Sequence, residues 1–323
     1  MRSIVILTTG GTIASKEVEG RGAFPILRGE ELLEGIPALG RYAQVKVQAF
    51  ANIPGAHMSL DRIVELAGKA EELLGSPDVH GLVITHGTDT MEETAYFLDL
   101  TLLSSKPVIF TGAMRTPSEV SFDGSRNLLD AVRVAASPEA AGLGVLVVMN
   151  GEIHEARWAT KVHSQRVDAF RSPFYGPLGM VDDEGVVLYR RPSMQRVRVE
   201  KRIEPKVDLI KLALGSDEKF IRCAVEAGAR GIVIEAFGGG RVPPQVIPAL
   251  EEAVKQGVMM VVTTRCLGGR LGDPYGYEGA SGHLRRIGLI FGHDLSGPKG
   301  RIKLMVALAN FPTKEEIKAY FEG

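Results

Sequence analysis

The strongest constraint on the fold is a regular alternation between short β-branched runs and longer segments in which apolar residues recur at helical spacing. The runs, several of them apolar at nearly every position, cover residues 4–8, 45–49, 81–85, 108–111, 145–149, 231–236 and 259–264. Such runs are typical of strands that are covered on both faces. The intervening segments predict helices over 60–74, 90–103, 127–136, 220–227 and 243–256. This alternation predicts an α/β fold with a largely parallel sheet flanked by helices.

The alternation breaks off between residues 175 and 207. Met180 and Val187 lie in a predicted hairpin with a turn at 182–185, and a charged stretch that contains Pro192 and Pro205 follows. A chain of 323 residues is long enough for two domains of ordinary size. We therefore predict an N-terminal α/β domain over 1–190, a linker over 191–207 and a smaller C-terminal α/β domain over 208–323.

The charge of the chain argues against nucleic acid as a partner. The 38 lysines and arginines nearly balance 39 aspartates and glutamates, whereas proteins that neutralise many phosphates usually carry a basic excess. The densest basic run contains Arg190, Arg191, Arg196, Arg198, Lys201 and Arg202. Because this run alternates with Val197 and Val199, we interpret it as the solvent-facing side of extended chain.

Neither a disulfide framework nor a membrane partner is indicated. The chain has two cysteines, and Cys266 ends an apolar run that favours an ordinary buried thiol. No stretch approaches the roughly 18 consecutive apolar residues of a membrane span. The first apolar run, at 4–7, is too short for a signal peptide. We expect a cytoplasmic protein.

Three predicted strand ends carry clusters of hydroxyl groups and glycines, and open α/β sheets bind ligands outside the carboxyl ends of their strands. The first cluster, at 8–15, reads Thr-Thr-Gly-Gly-Thr-Ile-Ala-Ser. Its glycines allow a sharp turn and a close approach of the backbone to a ligand. Neither G-x-G-x-x-G nor the P-loop pattern is present, so a phosphate loop is not indicated. The alternative interpretation, a turn with a purely structural role, is not excluded by these residues.

The second cluster, at 84–95, places Thr88 and Asp89 just before a predicted helix, where a carboxylate and a hydroxyl can polarise one another. The alternative is helix capping, with Asp89 or Thr90 at the N-cap and Glu92 or Glu93 in the first turn. The spacing does not decide between the two. We interpret His86 as a structural or supporting residue rather than a catalytic base.

The third cluster, at 159–164, contains Lys161. Its amine is either a solvated surface charge or, beside a carboxylate such as Asp89, a partly desolvated group that can move a proton. The seven histidines form no H-E-x-x-H or similar ligand pair, so we expect no metal, and no cofactor motif is present. G-x-S-x-G of serine hydrolases is also missing.

Together these segments resemble the bacterial-type asparaginase family, a group of two-domain α/β amidohydrolases, in its cytoplasmic type. The resemblance is carried by Thr-Gly-Gly-Thr-Ile-Ala at 9–14 and His-Gly-Thr-Asp-Thr-Met-Glu-Glu-Thr-Ala at 86–95. It continues through 95–100, 112–115, 145–150 and 175–179, and more weakly through 288–301. It therefore covers nearly the whole chain. The resemblance implies a small amino acid amide as substrate, no cofactor, and a homodimer or homotetramer with its sites at a subunit interface.

The resemblance also implies roles for particular residues. Thr12 matches the nucleophile that attacks the amide carbon, and Thr88, Asp89 and Lys161 match a second triad that polarises a threonine hydroxyl. An acyl-enzyme ester would form, release ammonia and be hydrolysed to the free acid. Backbone groups around Gly87 and Thr88, with Gly11, would donate to the developing oxyanion. Asp89 would also hold the α-ammonium of the substrate.

Three positions depart from the family pattern. The flexible lid after the first motif normally carries a tyrosine, but residues 16–27 contain none and offer only Phe24. Gly55 stands where the family has a serine that holds the α-carboxylate of the substrate. A glutamate that the family takes from the partner subunit aligns near Ser281, and Glu278 is close enough in sequence to replace it.

These observations favour hydrolysis of L-asparagine to L-aspartate and ammonia, and they leave three alternatives. The missing serine raises the possibility of glutaminase or D-asparagine activity. Asparaginase-like subunits also supply ammonia in transfer-RNA amidotransferases, although those have an extra N-terminal domain. The missing lid tyrosine motivates a third hypothesis, a ligand-binding protein whose catalysis has decayed.

Overall fold

The computed structural model describes residues 1–192, 197, 199–272 and 274–322. The chain divides into two compact units, Met1–Arg196 and Val197–Gly323. The sequence-based boundaries at 190 and 208 remain a prediction. Each unit contains its own sheet and its own hydrophobic core.

The strands of the first unit are β1 (Ser3–Gly10), β2 (Ser15–Val18), β3 (Gly22–Pro25), β4 (Gln44–Ile53), β5 (Gly81–Thr85), β6 (Val108–Thr111), β7 (Val145–Met149), β8 (Glu152–Glu155), β9 (Thr160–Lys161), β10 (Phe170–Arg171), β11 (Gly179–Val181) and β12 (Val186–Leu188). Its helices are α1 (Gly29–Glu34), α2 (Leu60–Gly75), α3 (Met91–Thr101) and α4 (Gly124–Ala136). Among the described residues, eight of these strands form one sheet in the order β12-β11-β8-β7-β6-β5-β1-β4. The pairs from β4 to β7 are parallel, and those from β7 to β12 are antiparallel.

The parallel part of this sheet confirms the α/β prediction, and its burial explains why the sequence indicates it. Every residue of β5, β6 and β7 is buried, as expected for strands with helices on both faces. Helix α2 buries Ile63, Leu66 and Ala70 along one side, and its N-cap Ser59 accepts a hydrogen bond from the backbone amide of Arg62. The predicted hairpin is also present, with Met180 opposite Val187.

The strands of the second unit are β13 (Val207–Lys211), β14 (Gly231–Ala236), β15 (Met259–Thr264) and β16 (Ile290–Phe291), all parallel and adjacent in this order. Its helices are α5 (Lys219–Glu226), α6 (Ile247–Lys255), α7 (Ser281–Arg286), α8 (Gly297–Asn310) and α9 (Lys314–Glu322). Ile232 and Ile234 share a core with Leu250 of α6. Val233, on the opposite face of β14, faces Gly300 of α8. The second unit is therefore a smaller parallel α/β layer.

Two interpretations of surface residues are corrected. Arg190 contacts the carboxylate of Glu155, a side chain only 11% exposed, so it does not belong to a simple solvent face. Arg196 and Arg198 of the same basic run lie outside the described residues. Cys266 is exposed and not buried, because it follows the end of β15.

None of the described helices is long and apolar enough to cross a membrane.

Candidate active site

The carboxyl ends of three neighbouring parallel strands meet through glycines. Strand β1 pairs with β4 on one side and β5 on the other, so that Gly11, Gly55 and Gly87 follow adjacent strand ends. A Cβ atom on Gly87 would lie 2.4 Å from the backbone nitrogen of Gly55, and one on Gly11 would lie 2.5 Å from the Cα of Gly87. Gly11 also has a φ of +82°, where side chains are strained. The loops that carry the predicted site therefore touch backbone to backbone.

Thr12 begins a short 3-10 turn, Thr12–Ala14, directly after β1. The turn is fixed by its neighbours, because the amide of Gly11 donates to the carbonyl of Ile53 at 2.9 Å and the hydroxyl of Ser15 donates to the carbonyl of Gly11 at 2.9 Å. The expectation that Gly11 donates its N–H to an oxyanion is thus wrong, since that N–H is already engaged. Gly11 instead allows the Thr12 turn to lie against the backbone of Gly87.

Lys161 contacts Thr88 and Asp89, the two other residues of the predicted second triad. Its Nζ donates to the hydroxyl of Thr88 at 2.9 Å and to Oδ1 of Asp89 at 2.7 Å. The Lys161 side chain is 17% exposed and that of Asp89 is 63% exposed, whereas Thr88 is buried. Lys161 is therefore the partly desolvated amine beside a carboxylate and not a free surface charge. These contacts span more than 70 positions in the chain.

The capping alternative for the second motif is correct in its positions, with Thr90 at the N-cap and Glu92 and Glu93 in the first turn of α3, but Thr90 makes no side-chain cap. Its hydroxyl donates to the carbonyl of Gly55 at 2.7 Å. Asp89 accepts from Lys161 instead of the helix amides. Both side chains therefore connect α3 to other parts of the site, and neither serves the helix end.

His86 is a structural residue of the site, as interpreted from the sequence. Its ring is fully buried beside Phe110, with ring centroids 5.8 Å apart. Because a carbonyl oxygen only accepts, the contact of 2.8 Å with the Gly87 oxygen assigns the proton to Nδ1. Burial lowers the pKa of His86 to about 4, so the ring is neutral at pH 7. It fixes the Gly87 carbonyl and is no proton acceptor near neutral pH.

Sequence reasoning missed two residues that organise this edge of the sheet. Glu92 accepts a hydrogen bond from the backbone amide of Lys161 at 3.0 Å, although the motif suggested only a helix-turn role. Asn127 of α4 donates to the carbonyl of Gly112 at 3.0 Å and accepts from the amide of Asn150 at 2.9 Å, which joins the ends of β6 and β7. The available signal for the second was an asparagine among the apolar residues that recur at helical spacing in α4, although this helix also buries Asp130 and Arg133.

The remaining predicted residues are placed as follows. Gly55 begins a 3-10 turn after β4 and contacts Gly87. Glu278 lies exposed in the second unit, between β15 and α7, and its role stays a prediction. The lid segment forms the β2–β3 hairpin, in which Arg21 lies over the ring of Phe24. Among the described residues, no three histidine, cysteine, aspartate or glutamate side chains come together in a way that could hold a metal.

Threonine hydroxyls and a carboxylate follow the carboxyl ends of parallel strands, and the short β9–β10 hairpin brings an amine to them. Hydroxyl nucleophiles with such neighbouring groups are typical of hydrolases that act by nucleophilic catalysis. Residues 3–194 match the family model described as asparaginase, N-terminal, and residues 206–321 match the glutaminase/asparaginase C-terminal domain. The chain belongs to the asparaginase family and is an asparaginase-type amidohydrolase. The resemblance derived from the motifs is confirmed.

Similar proteins cover the whole chain. An L-asparaginase of Bacillus licheniformis is 40% identical over 321 residues, with 99% of both chains covered. One component of a glutamyl-tRNA(Gln) amidotransferase of Pyrococcus abyssi is 35% identical, with 98% of this chain and 74% of that protein covered. The crystal structure of a probable cytoplasmic L-asparaginase of Campylobacter jejuni matches with a TM-score of 0.90 and 34% identity, covering 100% of this chain and 99% of that chain.

Proposed function

We propose that this enzyme hydrolyses L-asparagine to L-aspartate and ammonia through a threonine acyl-enzyme. The observation that carries the proposal is the bridge from Lys161 Nζ to both Thr88 and Asp89, on a loop in direct backbone contact with the Thr12 loop. The 40% identity to an L-asparaginase over nearly the full length supports asparagine as the substrate. A cytoplasmic location, as in the description of the Campylobacter relative, belongs to the same proposal.

In the proposed reaction the hydroxyl oxygen of Thr12 attacks the side-chain amide carbon of asparagine. The carbon–nitrogen bond breaks, the nitrogen gains a proton and leaves as ammonia, and an ester joins the aspartyl group to Thr12. A hydroxyl is a weak nucleophile at its free pKa and needs a neighbouring base. The Thr88–Lys161 pair takes the proton of the Thr12 hydroxyl and passes it to the departing nitrogen. Water then attacks the ester; its oxygen joins the acyl carbon as aspartate leaves, and one of its protons restores the hydroxyl of Thr12.

The oxyanion that develops during both attacks needs backbone donors. We assign this role to the amide of Thr88. His86 holds the Gly87 carbonyl on one side, and in a trans peptide the following N–H points to the opposite side. This assignment replaces the Gly11 amide, which donates to Ile53.

Recognition of the amino acid is assigned to Asp89 and to the turn at Gly55. The exposed side of the Asp89 carboxylate is available to the α-ammonium of the substrate. We further propose a homodimer or homotetramer in which Glu278 of one copy completes the site of another, as the family resemblance implies. The glutamate of that second copy would then contact the same α-ammonium.

The test is ammonia release from L-asparagine, L-glutamine and D-asparagine. We expect activity with L-asparagine, and losses of about a thousandfold or more in kcat for Thr12→Ala, Thr88→Ala and Lys161→Met, because residues that act as one unit each cost nearly the whole effect. Circular dichroism would confirm that the variants fold. A wild-type enzyme that releases no ammonia from any of the three amides would rule the proposal out.

A second candidate, an ammonia-supplying component of an amidotransferase, is favoured by the 35% identity to the Pyrococcus protein. Turnover of free L-asparagine by the purified chain alone contradicts this candidate. Activity that appears only when a partner protein and its transfer RNA are added supports it.

A further inference from the structure

The backbone amide of Lys161 faces away from its own hairpin. Strands β9 and β10 are antiparallel, with Lys161 opposite Phe170, and the amide of Val162 donates to the carbonyl of Ala169 at 2.8 Å. Hydrogen-bonded and non-hydrogen-bonded pairs alternate along such a ladder. Because the 162–169 pair is hydrogen-bonded, the neighbouring Lys161–Phe170 pair is not. The amide of Lys161 therefore needs another acceptor, and Oε2 of Glu92 provides it at 3.0 Å.

The short segment from Thr88 to Glu92 thus contacts both the side-chain amine and the backbone amide of Lys161. Thr88 and Asp89 accept hydrogen bonds from Nζ at 2.9 and 2.7 Å, and Glu92 accepts the backbone amide. All three acceptors lie between the end of β5 and the first turn of α3. Strand β9 contains only two residues, so its own ladder fixes its position weakly. The side-chain bond from α3 supplies the missing constraint.

We propose that Glu92 is a positioning residue, whose carboxylate anchors the Lys161 backbone so that Nζ bridges Thr88 and Asp89. The inference rests on the proposed function in one respect, namely that Lys161 takes part in the reaction. Without the anchor, the part-buried amide of Lys161 loses its side-chain acceptor, and the short strand is no longer held in this position. A displacement of about 1 Å at a reacting group can lower the rate by a hundredfold.

Two substitutions separate the reach of Glu92 from its charge. Glu92→Gln keeps an acceptor oxygen at the same distance and removes the charge, whereas Glu92→Asp keeps the charge and shortens the side chain by one methylene group. Positioning predicts that Glu92→Gln retains most of the wild-type kcat and that Glu92→Asp loses about tenfold or more, with a smaller change in KM. Glu93→Gln removes the neighbouring charge from the same helix turn and is the matched control, with kcat expected near the wild-type value.

A second measurement follows the accessibility of the Lys161 amine and does not depend on turnover. Labelling of Lys161 by trinitrobenzenesulfonate, followed by peptide mass spectrometry, is expected to be several-fold faster in Glu92→Asp than in the wild type or Glu92→Gln. A loss of kcat in Glu92→Gln with a wild-type kcat in Glu92→Asp would assign the effect to charge and overturn the inference. Equal losses in the two variants, or wild-type kcat and labelling in both, would overturn it as well. If the wild type hydrolyses no amide, the proposed function fails, and the labelling pattern still decides whether Glu92 anchors Lys161.

Discussion

At the scale of single residues, three glycines set how closely the loops of the site approach one another. A Cβ atom on Gly55 would lie 2.9 Å from the carbonyl carbon and oxygen of Gly87. The serine that the family pattern places at Gly55 would therefore force one of these loops to move. Because the contact is between backbone atoms, a side chain at any of the three glycines would separate the loops. The contact keeps the Thr12 turn next to the segment that carries Thr88.

His86 gives this site a measurable dependence of stability on pH. The unfolded chain binds a proton at this residue near pH 6.5, and the folded chain binds it only near pH 4. Between these values the unfolded state holds more protons, so the contribution of His86 to stability is present above pH 6.5 and is lost as the pH falls toward 4. From pH 7 to pH 4.5 we expect this residue to remove roughly 2–3 kcal/mol of the free energy of unfolding.

Urea unfolding of the wild type and His86→Gln at both pH values measures this contribution. Glutamine does not titrate, so the variant is expected to lose correspondingly less stability between pH 7 and pH 4.5, whatever its stability at pH 7. His163→Gln, which removes an exposed histidine from the same unit, is the matched control. Identical pH dependence in His86→Gln and the wild type would contradict a buried neutral ring.

At the scale of secondary-structure elements, burial decides what the sequence reveals. The fully buried strands β5 and β14 coincide with the predicted runs at 81–85 and 231–236, because two covered faces require continuous apolar sequence. Helix α8 was not predicted, since most of its surface is buried and it lacks a polar face. Strands β9 and β10 have two residues each, too few for any periodicity. A strand end was expected at 159–164 from its polar residues, but no apolar run predicts the two-residue strand that carries Lys161.

Thr90 connects two elements of the site, and its removal is expected to weaken substrate binding. The hydroxyl joins the start of α3 to the turn at Gly55, to which we assign the α-carboxylate. Loss of one such hydrogen bond costs about 1 kcal/mol, so Thr90→Val is expected to raise KM for L-asparagine up to about tenfold with little change in kcat. Steady-state kinetics of ammonia release measures both constants.

The matched control lies in the same helix. Thr101 donates its hydroxyl to the carbonyl of Phe97 at 2.8 Å, a bond of the same kind at the far end of α3. Thr101→Val should leave KM unchanged while it lowers stability to a similar extent. A KM that rises equally in both variants would show that helix stability, and not the turn at Gly55, determines substrate binding.

At the scale of the whole molecule, the predicted functional residues divide between the two units. Thr12, Thr88, Asp89 and Lys161 belong to the first unit, and Glu278 belongs to the second. The change in sequence pattern near residue 190 anticipates two units, but no sequence spacing tells whether Glu278 serves its own chain or another copy. Symmetric oligomers make the distinction testable, because each member of a closed pair gives and receives the same contacts.

Co-expression of Lys161→Met with Glu278→Ala tests whether the site is shared between copies. Random pairing in equal amounts gives intact Lys161 opposite an intact Glu278 in about a quarter of the sites, so about a quarter of the wild-type activity should return from two inactive parents. Lys161→Met with Thr12→Ala is the control, since both residues belong to the first unit and mixing restores no site. Mass spectrometry establishes equal amounts of the two chains. If Glu278 serves its own chain, every site in the first mixture retains one defect and the activity stays at the level of the parents.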